Sequence, residues 1–273
     1  MNRQTLIAEI KRKRSFLCVG LDTDIDRIPK KFLKYDNPVL EFNKVIIDLT
    51  SKYCVAYKPN TAFYEKYGSR GWKTLEDTFA YMPDNILKIA DAKRGDIGNT
   101  SAQYARAFFD TLHADAVTVA PYMGSDSVNP FLEWKDKWVI LLAVTSNSGS
   151  SDFQMQPLEH GMPLYQKVVQ TAIQWGDPGQ MMLVVGATAG DHIRKVRDLA
   201  PEHFFLVPGV GAQGGDLTEV ARNAMTKNCG LLVNLSRSVI YADNSANFEE
   251  AVVSACEAVQ LEMEQLLKEH HVL

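Results

Sequence analysis

The sequence predicts an α/β protein folded as a single (β/α)8 barrel, the TIM-barrel class, over residues 1–273 with an extra N-terminal helix. Eight short apolar, β-rich runs recur along the chain, and amphipathic helical patterns lie between them. No linker rich in Pro, Gly or Ser divides the 273 residues. Eight strand–helix units in a chain of this length favour the closed barrel. An open doubly wound sheet is the alternative.

Most of the eight predicted strands are apolar throughout rather than alternating, which is typical of parallel strands covered on both faces. They span residues 16–21, 53–57, 86–90, 116–120, 138–144, 181–185, 204–207 and 231–235. Helical periodicity predicts helices over residues 1–14, 37–52, 100–112, 158–175 and 245–270. In the second of these, Pro38 can occupy the first turn, where a helix does not need its N–H.

Net charge and cysteine use exclude several classes of partner. The formal net charge is −4 without a basic stripe or polybasic tail, so we expect no nucleic-acid or membrane partner. There is no signal-peptide pattern and no apolar run long enough to cross a bilayer, so we expect a cytoplasmic protein. Cys18, Cys54, Cys229 and Cys256 are far apart and lack the spacing of zinc sites, which predicts reduced core residues.

Polar residues follow six of the predicted strands, and in a barrel of this class the catalytic groups lie at those carboxyl ends. Asp22 follows the first strand, Lys58 the second, and the third runs into the charged segment "DAKRGD". Ser146 lies after the fifth strand, a glycine-rich segment after the seventh, and Arg237 after the eighth. One Asp after a strand is more often a turn or cap residue. Six polar strand ends together indicate a site.

The charged segment after the third strand is the strongest of these signals. Side chains alternate along a strand, so Asp91 and Lys93 share one face and point into the barrel mouth if the strand extends through Lys93. Asp96 follows, just past Gly95. A salt-bridge network that only plugs the barrel is the alternative interpretation.

Two nearby carboxylates would stabilise the Lys93 ammonium and raise its pKa. Such a lysine is poorly suited to forming a Schiff base, which disfavours a class I aldolase, and well suited to donating a proton. The aspartates would also repel a substrate carboxylate, at a cost of about 4 kcal/mol for one pair at ~4 Å and an effective dielectric near 20. The segment therefore fits decarboxylation.

The glycine-rich segment "GVGAQG", residues 209–214, matches a dinucleotide-binding pattern only weakly. That fold needs an acidic residue at the end of the next strand, where this chain has Ser236 and Arg237. Glycine-rich backbone next to an arginine instead predicts a phosphate site between the seventh and eighth strands. A surface loop with a solvated arginine is the alternative. The long polar loop 145–161 predicts a lid.

Five motifs, taken together, resemble the orotidine 5′-phosphate decarboxylase family in the form found in its longer bacterial branch. "DAKRGDIGNT" is similar to the family's charged signature, "VPGVGAQGGD" and "SRSVIYA" are similar to its phosphate-binding elements, and "CVGLD" and "AYKPN" stand in order before them. The resemblance covers nearly the whole chain. It implies decarboxylation of orotidine 5′-phosphate to UMP in pyrimidine biosynthesis, with no metal or organic cofactor.

The resemblance also implies roles for the charged residues. Lys93 would protonate C6 of the pyrimidine, and Asp91 would stand next to the departing carboxylate. Lys58 would hydrogen-bond to Asp91 and the ribose, and Asp22 would bind the ribose. The resemblance further implies a homodimer in which Asp96, Ile97 and Thr100 enter the active site of the partner subunit.

For the substrate's other groups the resemblance implies that Ser146 reads the pyrimidine edge and that Gln213 and Arg237 hold the phosphate. Pro208, Gly214 and Ser236 complete the implied substrate-binding set. Shorter family members have glycine where this chain has Ser236, and the backbone N–H survives that change.

Two other functions remain open at the level of the residues. A phosphogulonate-type decarboxylase shares a similar D-x-K-x-x-D pattern and uses Mg²⁺ to stabilise an enediolate. Arg237, Lys58 and the long loop after the fifth strand favour the nucleotide enzyme instead. A barrel that binds a sugar phosphate without catalysis is disfavoured, because the charged residues Lys58, Asp91, Lys93 and Asp96 are all present.

Overall fold

The computed structural model describes residues 1–187, 191–211 and 214–273, and eight parallel strands in this part of the chain close into a barrel. The strands pair in sequence order, and β1 pairs with β8 to complete the closure. They are β1 Leu17–Gly20, β2 Ala56–Lys58, β3 Leu87–Arg94, β4 Ala116–Val119, β5 Trp138–Val144, β6 Met181–Val185, β7 Phe204–Pro208 and β8 Leu231–Leu235. The predicted (β/α)8 barrel is confirmed.

The helices of the described residues include the extra N-terminal helix and several short helices at the strand ends. The α-helices are α1 Arg3–Lys13, α2 Pro38–Thr50, α3 Ala62–Glu65, α4 Gly68–Tyr81, α5 Gly98–Arg106, α6 Ser125–Leu132, α7 Ser150–Phe153, α8 Leu164–Ala172, α9 Asp191–Leu199, α10 Leu217–Ala224, α11 Arg237–Ile240 and α12 Phe248–Glu269, and a π-helix, Ala107–Thr111, continues α5. No helix in the described ranges is long and apolar enough to span a membrane.

The continuous apolar strands are buried because the barrel interior covers one face and the helices cover the other. Every residue of β1, β6 and β8 is buried. The helices contribute apolar stripes to the same core, as in α2, where Phe42 and Ile46 are buried. Pro38 lies in the first turn of α2, and the Asn37 side chain caps it by accepting the Leu40 N–H at 3.2 Å. All four cysteines lie within the described residues and are free and buried, as predicted.

One helix boundary was wrong. The helix predicted over 158–175 begins only at α8, six residues later, and ends at Ala172. His160 and Gly161 adopt positive φ angles of 63° and 76°, and Pro163 is extended. These three residues break the local helical path that the apolar periodicity suggested.

The amino-terminal end of the barrel is held by a buried guanidinium. Arg197 of α9 donates to the carbonyls of Ala200 (2.9 Å), His203 (2.6 Å), Ala224 (2.8 Å) and Gly230 (3.0 Å). These carbonyls precede β7 and β8 or end α10, so one side chain connects three successive segments. Burial lowers the pKa of Arg197 to about 10, which leaves it charged at neutral pH.

We expect Arg197→Met to lower the free energy of unfolding by about 3 kcal/mol, because four buried carbonyls lose a charged donor. Urea denaturation measures the change. Arg222→Met, at an exposed position of α10, is the control and should stay within about 0.5 kcal/mol of wild type. A loss at Arg197 as small as that of the control would show that the guanidinium does not hold this end together.

Candidate active site

A carboxylate between two ammonium groups lies at the carboxyl ends of β2 and β3. Asp91 Oδ2 accepts from Lys58 Nζ at 2.8 Å, and Asp91 Oδ1 accepts from Lys93 Nζ at 2.6 Å. The side chains of Lys58 and Asp91 are only 5% and 10% exposed, whereas that of Lys93 is 49% exposed. Asp91 and Lys93 are therefore in contact, although a bulge interrupts the regular alternation on which the sequence prediction rested. The ammonium group of Lys93 therefore lies on the solvent side of the buried Lys58–Asp91 pair.

The backbone that carries Lys93 departs from a regular strand. Ala90 pairs with Val117 and Arg94 pairs with Val119, so β3 advances four residues while β4 advances two. Lys93 lies within this bulge and has a φ of 48°, a left-handed conformation that is uncommon for a residue other than glycine. Strand alternation alone does not predict the bulge.

A threonine that the sequence reasoning missed connects the bulge to the array. Thr118 of β4 is buried, and its Oγ1 accepts the backbone N–H of Lys93 at 2.9 Å. The same hydroxyl donates to Asp91 Oδ1 at 3.0 Å. The available signal was a single polar residue within the apolar strand "AVTVA".

Electrostatics keep the buried pair ionised. Burial alone would raise the pKa of Asp91, but the ammonium groups of Lys58 and Lys93 outweigh it and hold that pKa well below its usual range. Burial alone would lower the pKa of Lys58, but Asp91 and Asp22 outweigh it and hold that pKa well above its usual range. Both groups are therefore charged at neutral pH.

Asp22 and Ser236 meet where β1 lies beside β8. Ser236 Oγ donates to Asp22 Oδ2 at 2.8 Å. A Cβ on Gly20 would lie 2.8 Å from the Ser236 Cβ, which explains why β1 ends in glycine. Asp22 Oδ1 is buried and has no hydrogen-bond partner among the described residues. This oxygen is an acceptor that a ligand hydroxyl would satisfy.

A cavity of about 380 Å³ opens beside these residues. It is lined by Asp22, Asp24, Arg27, Phe63, Arg237 and Tyr241. Arg237 begins α11 and is exposed. Arg27 lies with its guanidinium 4.3 Å from the ring centre of Tyr241, whose hydroxyl accepts the Asp24 N–H at 2.7 Å. Arg27, Phe63 and Tyr241 were not predicted, because neither their spacing nor their strand position marked them.

The glycine-rich segment follows β7, which ends at Pro208. Gly209 and Gly214 have positive φ angles of 95° and 83°, which glycine adopts readily. The Gly214 N–H donates to the Gly211 carbonyl at 2.9 Å, so it takes part in a turn within the segment. Gln213, a predicted phosphate-binding residue, lies outside the described residues.

The residues predicted to serve a partner subunit lie beside an exposed apolar surface. Asp96 accepts the N–H of Ile97 at 2.7 Å and makes no ion pair within the described part of its own chain. Ile97 is 57% exposed, and Thr100 is also exposed. Tyr122 and Met123 are exposed on the neighbouring β4–α6 connection.

Ser146 lies just past the end of β5, next to the end of β6. A Cβ on Gly186 would lie 2.8 Å from the Ser146 backbone nitrogen, so the two backbones are in close contact. Gln154 fixes the start of the predicted lid, since it donates to Thr145 Oγ1 and accepts the Thr145 N–H, both at 2.8 Å. The predicted loop contains α7, so it is partly helical.

Within residues 1–187, 191–211 and 214–273, no group of three or more His, Cys, Asp or Glu side chains is arranged to hold a metal ion. The mouth instead combines hydrogen-bond acceptors, ammonium groups and guanidinium groups.

A closed (β/α)8 barrel with charged side chains at the carboxyl ends of its strands defines the class of TIM-barrel enzymes. The model of the orotidine 5′-phosphate decarboxylase / HUMPS family matches residues 15–251, and the chain belongs to this family.

Similar proteins extend over nearly the whole chain. The orotidine 5′-phosphate decarboxylase of Parabacteroides distasonis is 55% identical and covers 100% of this chain and 99% of its own length. That of Phocaeicola vulgatus is 53% identical, with coverage of 98% and 99%. The solved structure of Leishmania donovani OMP decarboxylase has a TM-score of 0.82 at 37% identity and covers 97% of this chain and 99% of its own.

We expect Asp91→Asn to lower the free energy of unfolding by about 3 kcal/mol at pH 7, because the buried Lys58 ammonium loses its counter-charge. In the wild type the raised pKa of Lys58 stabilises the fold below the unfolded value of about 10.4, and this contribution is lost as pH rises through the folded value. In the variant Asp22 remains but the larger opposing charge of Asp91 is lost, so burial lowers the Lys58 pKa and Lys58 loses its proton more readily. The deficit should therefore shrink between pH 7 and about 9.5.

Urea denaturation at both pH values measures this difference. Asp77→Asn is the matched control, since Asp77 forms a surface ion pair with Lys73 at 2.7 Å and should change stability by less than about 0.5 kcal/mol. A deficit that does not depend on pH would contradict the assignment of a buried charged pair.

Proposed function

We propose that the chain decarboxylates orotidine 5′-phosphate to UMP in de novo pyrimidine biosynthesis. The observation that carries the proposal is the Lys58–Asp91–Lys93 array at the carboxyl ends of the strands, in a chain that belongs to this family. Relatives named for this activity are more than half identical over almost all of their length.

In the proposed mechanism the substrate carboxylate is placed against Asp91. Asp91 stays ionised at neutral pH, so the two carboxylates repel each other by about 4 kcal/mol at ~4 Å and an effective dielectric near 20. The repulsion is relieved as the carboxylate becomes neutral CO₂. Because it acts on the ground state more than on the transition state, it lowers the barrier.

Lys93 supplies the proton. As the bond between C6 and the carboxylate breaks, its electron pair stays on C6, and the carbon takes a proton from the Lys93 ammonium. The resulting amine regains a proton from water, which the 49% exposure of the Lys93 side chain supports. Lys58 holds Asp91 from the opposite oxygen and is proposed to contact the ribose.

The remaining substrate contacts are proposed along the mouth of the barrel. Asp22 binds the ribose, a role supported by its unpartnered Oδ1. Arg237 binds the phosphate, supported by its exposed position on the same cavity. Ser146 reads the pyrimidine edge. Gln213 and the Ser236 backbone N–H are also proposed to contact the phosphate, and Pro208 and Gly214 complete the proposed substrate-binding set.

We further propose a homodimer with shared active sites. Asp96, Ile97 and Thr100 would enter the partner's site, because Asp96 makes no ion pair within the described part of its own chain. The exposed Tyr122 and Met123 would be covered by the interface.

The proposal includes one domain over residues 1–273, supported by the pairing of β1 with β8. It includes a cytoplasmic location, supported by four free buried cysteines. It also includes catalysis without a metal or organic cofactor, which is tested below.

The test is a spectrophotometric assay of the purified chain with orotidine 5′-phosphate in the presence of EDTA. Turnover with EDTA is the expected result. Absence of turnover would refute the proposal, and turnover only with added Mg²⁺ would favour the metal-dependent phosphogulonate-type decarboxylase.

We expect Lys93→Ala to lower kcat at least about a thousandfold, equivalent to about 4 kcal/mol in the barrier, because the proton donor is lost. Lys88→Ala is the matched control: Lys88 lies on the same strand but pairs with Asp84 at 3.3 Å and has no proposed role. Its kcat should stay within about threefold of wild type. Activity of Lys93→Ala within tenfold of the control would refute the role of Lys93.

The shared site can be tested by mixing Lys93→Ala and Asp96→Ala subunits under conditions that exchange them. In a mixed dimer one site carries both defects and the other carries neither. Equal amounts give about half mixed dimers, each with one intact site, so about a quarter of wild-type activity should return. Differently tagged subunits confirm exchange. If exchange occurs and activity does not return, Asp96 serves its own barrel.

A further inference from the structure

We propose that the hydroxyl of Thr118 positions Lys93 for proton transfer, an inference that rests on the proposed decarboxylase function. Thr118 lies on β4, is 1% exposed, and directs its hydroxyl at Lys93 and Asp91. It is therefore a positioning residue, acting through Lys93 and Asp91.

The backbone pairing between β3 and β4 is irregular at Lys93. In a regular parallel pair, backbone N–H groups that point to the neighbouring strand are satisfied by its carbonyls. The register between β3 and β4 shifts between Ala90 and Arg94, so the regular backbone pairing does not extend to Lys93. Thr118 Oγ1 accepts the Lys93 N–H there at 2.9 Å. A side chain of the opposing strand thus completes the bulge.

The two hydrogen bonds of Thr118 set the direction of its hydroxyl proton. A hydroxyl donates one proton and accepts through its lone pairs. Because the Lys93 N–H must donate to Oγ1, the Thr118 proton is free to point at Asp91 Oδ1, 3.0 Å away. That oxygen also accepts from Lys93 Nζ at 2.6 Å. The three residues close a ring that holds Lys93 at its backbone and at its ammonium group.

The backbone conformation of Lys93 also needs support from its surroundings. Lys93 has a φ of 48°, and non-glycine residues hold this conformation only when their surroundings enforce it. The exit of the bulge is held separately, because the Ala120 N–H donates to the Arg94 carbonyl at 2.8 Å and Arg94 pairs with Glu65. Loss of the hydroxyl should therefore release Lys93 without unfolding the strand.

The experiment compares Thr118→Val, which keeps the shape and removes the hydroxyl, with Thr118→Ser, which keeps the hydroxyl. We expect Thr118→Val to lower kcat on the order of a hundredfold, the effect of misplacing a catalytic group by about 1 Å. KM should change less than about threefold, because the binding contacts lie elsewhere. Thr118→Ser should recover kcat to within about fivefold of wild type.

Thr50→Val is the matched control. Thr50 is a buried threonine of α2 whose hydroxyl donates to the Ile46 carbonyl at 2.7 Å. Its loss should lower stability and leave kcat within about threefold of wild type. Equal kcat losses in Thr118→Val and Thr118→Ser, or a kcat of Thr118→Val matching that of Thr50→Val, would overturn the inference.

Amide hydrogen exchange of the wild-type protein tests the geometry without any variant and without substrate. The Lys93 amide should exchange slowly for a residue at the edge of the mouth, because Thr118 holds its proton. Exchange at the rate of an open loop would overturn the inference even if Thr118→Val failed to fold. Absence of wild-type turnover would refute the proposed function, and the exchange result would still decide whether Thr118 holds Lys93.

Discussion

The site depends on one interaction, the contact of the Asp91 carboxylate with two ammonium groups. Lys58 can stay charged in a buried position because Asp91 lies 2.8 Å away, and Asp91 can stay ionised because both lysines offset the cost of its burial. Removing Asp91 takes away the nearest counter-charge of the buried Lys58 ammonium. The bulge in β3 and the hydroxyl of Thr118 serve the same interaction, since they bring the backbone of Lys93 to where its ammonium reaches Asp91.

The two ends of the barrel use polar groups in opposite ways. At the amino-terminal end, Arg197 satisfies four carbonyls, and the Lys13 ammonium donates to the carbonyls of Ser51 and Cys54 at 2.8 and 2.7 Å. Such closed arrangements stabilise the fold. At the carboxyl end, Asp22 keeps a buried oxygen without a partner among the described residues, and Arg237 is exposed. An unpartnered acceptor close to an exposed guanidinium suits a ligand-binding surface.

Local sequence predicted the strands and the proximity of Asp91 to Lys93, because both follow from patterns within a few residues. Continuous apolar runs predicted the barrel, and strand alternation predicted that Asp91 and Lys93 share a face. The contact of Lys58 with Asp91 was implied only by the family resemblance. The bulge in β3 could not be predicted from local sequence, because it is defined by the pairing of β3 with β4. The only sequence signal for Thr118 was a polar residue within an apolar strand. The start of α8 was wrong because backbone conformation at Gly161 and Pro163 overrode the apolar periodicity. The partner of Asp96 could not be read from one chain, since the proposed contact belongs to another.

The central claim is that Asp91 remains an ionised carboxylate between two ammonium groups. The carboxyl ¹³C resonance of Asp91, assigned by its absence from the spectrum of Asp91→Asn, measures this directly as a function of pH. With its pKa held far below the usual range, we expect the resonance to stay at its ionised position from about pH 4 to pH 10, whereas unperturbed aspartates titrate near about 3.9. A midpoint for Asp91 above about 5 would mean that burial outweighs the lysines, and would contradict the claim.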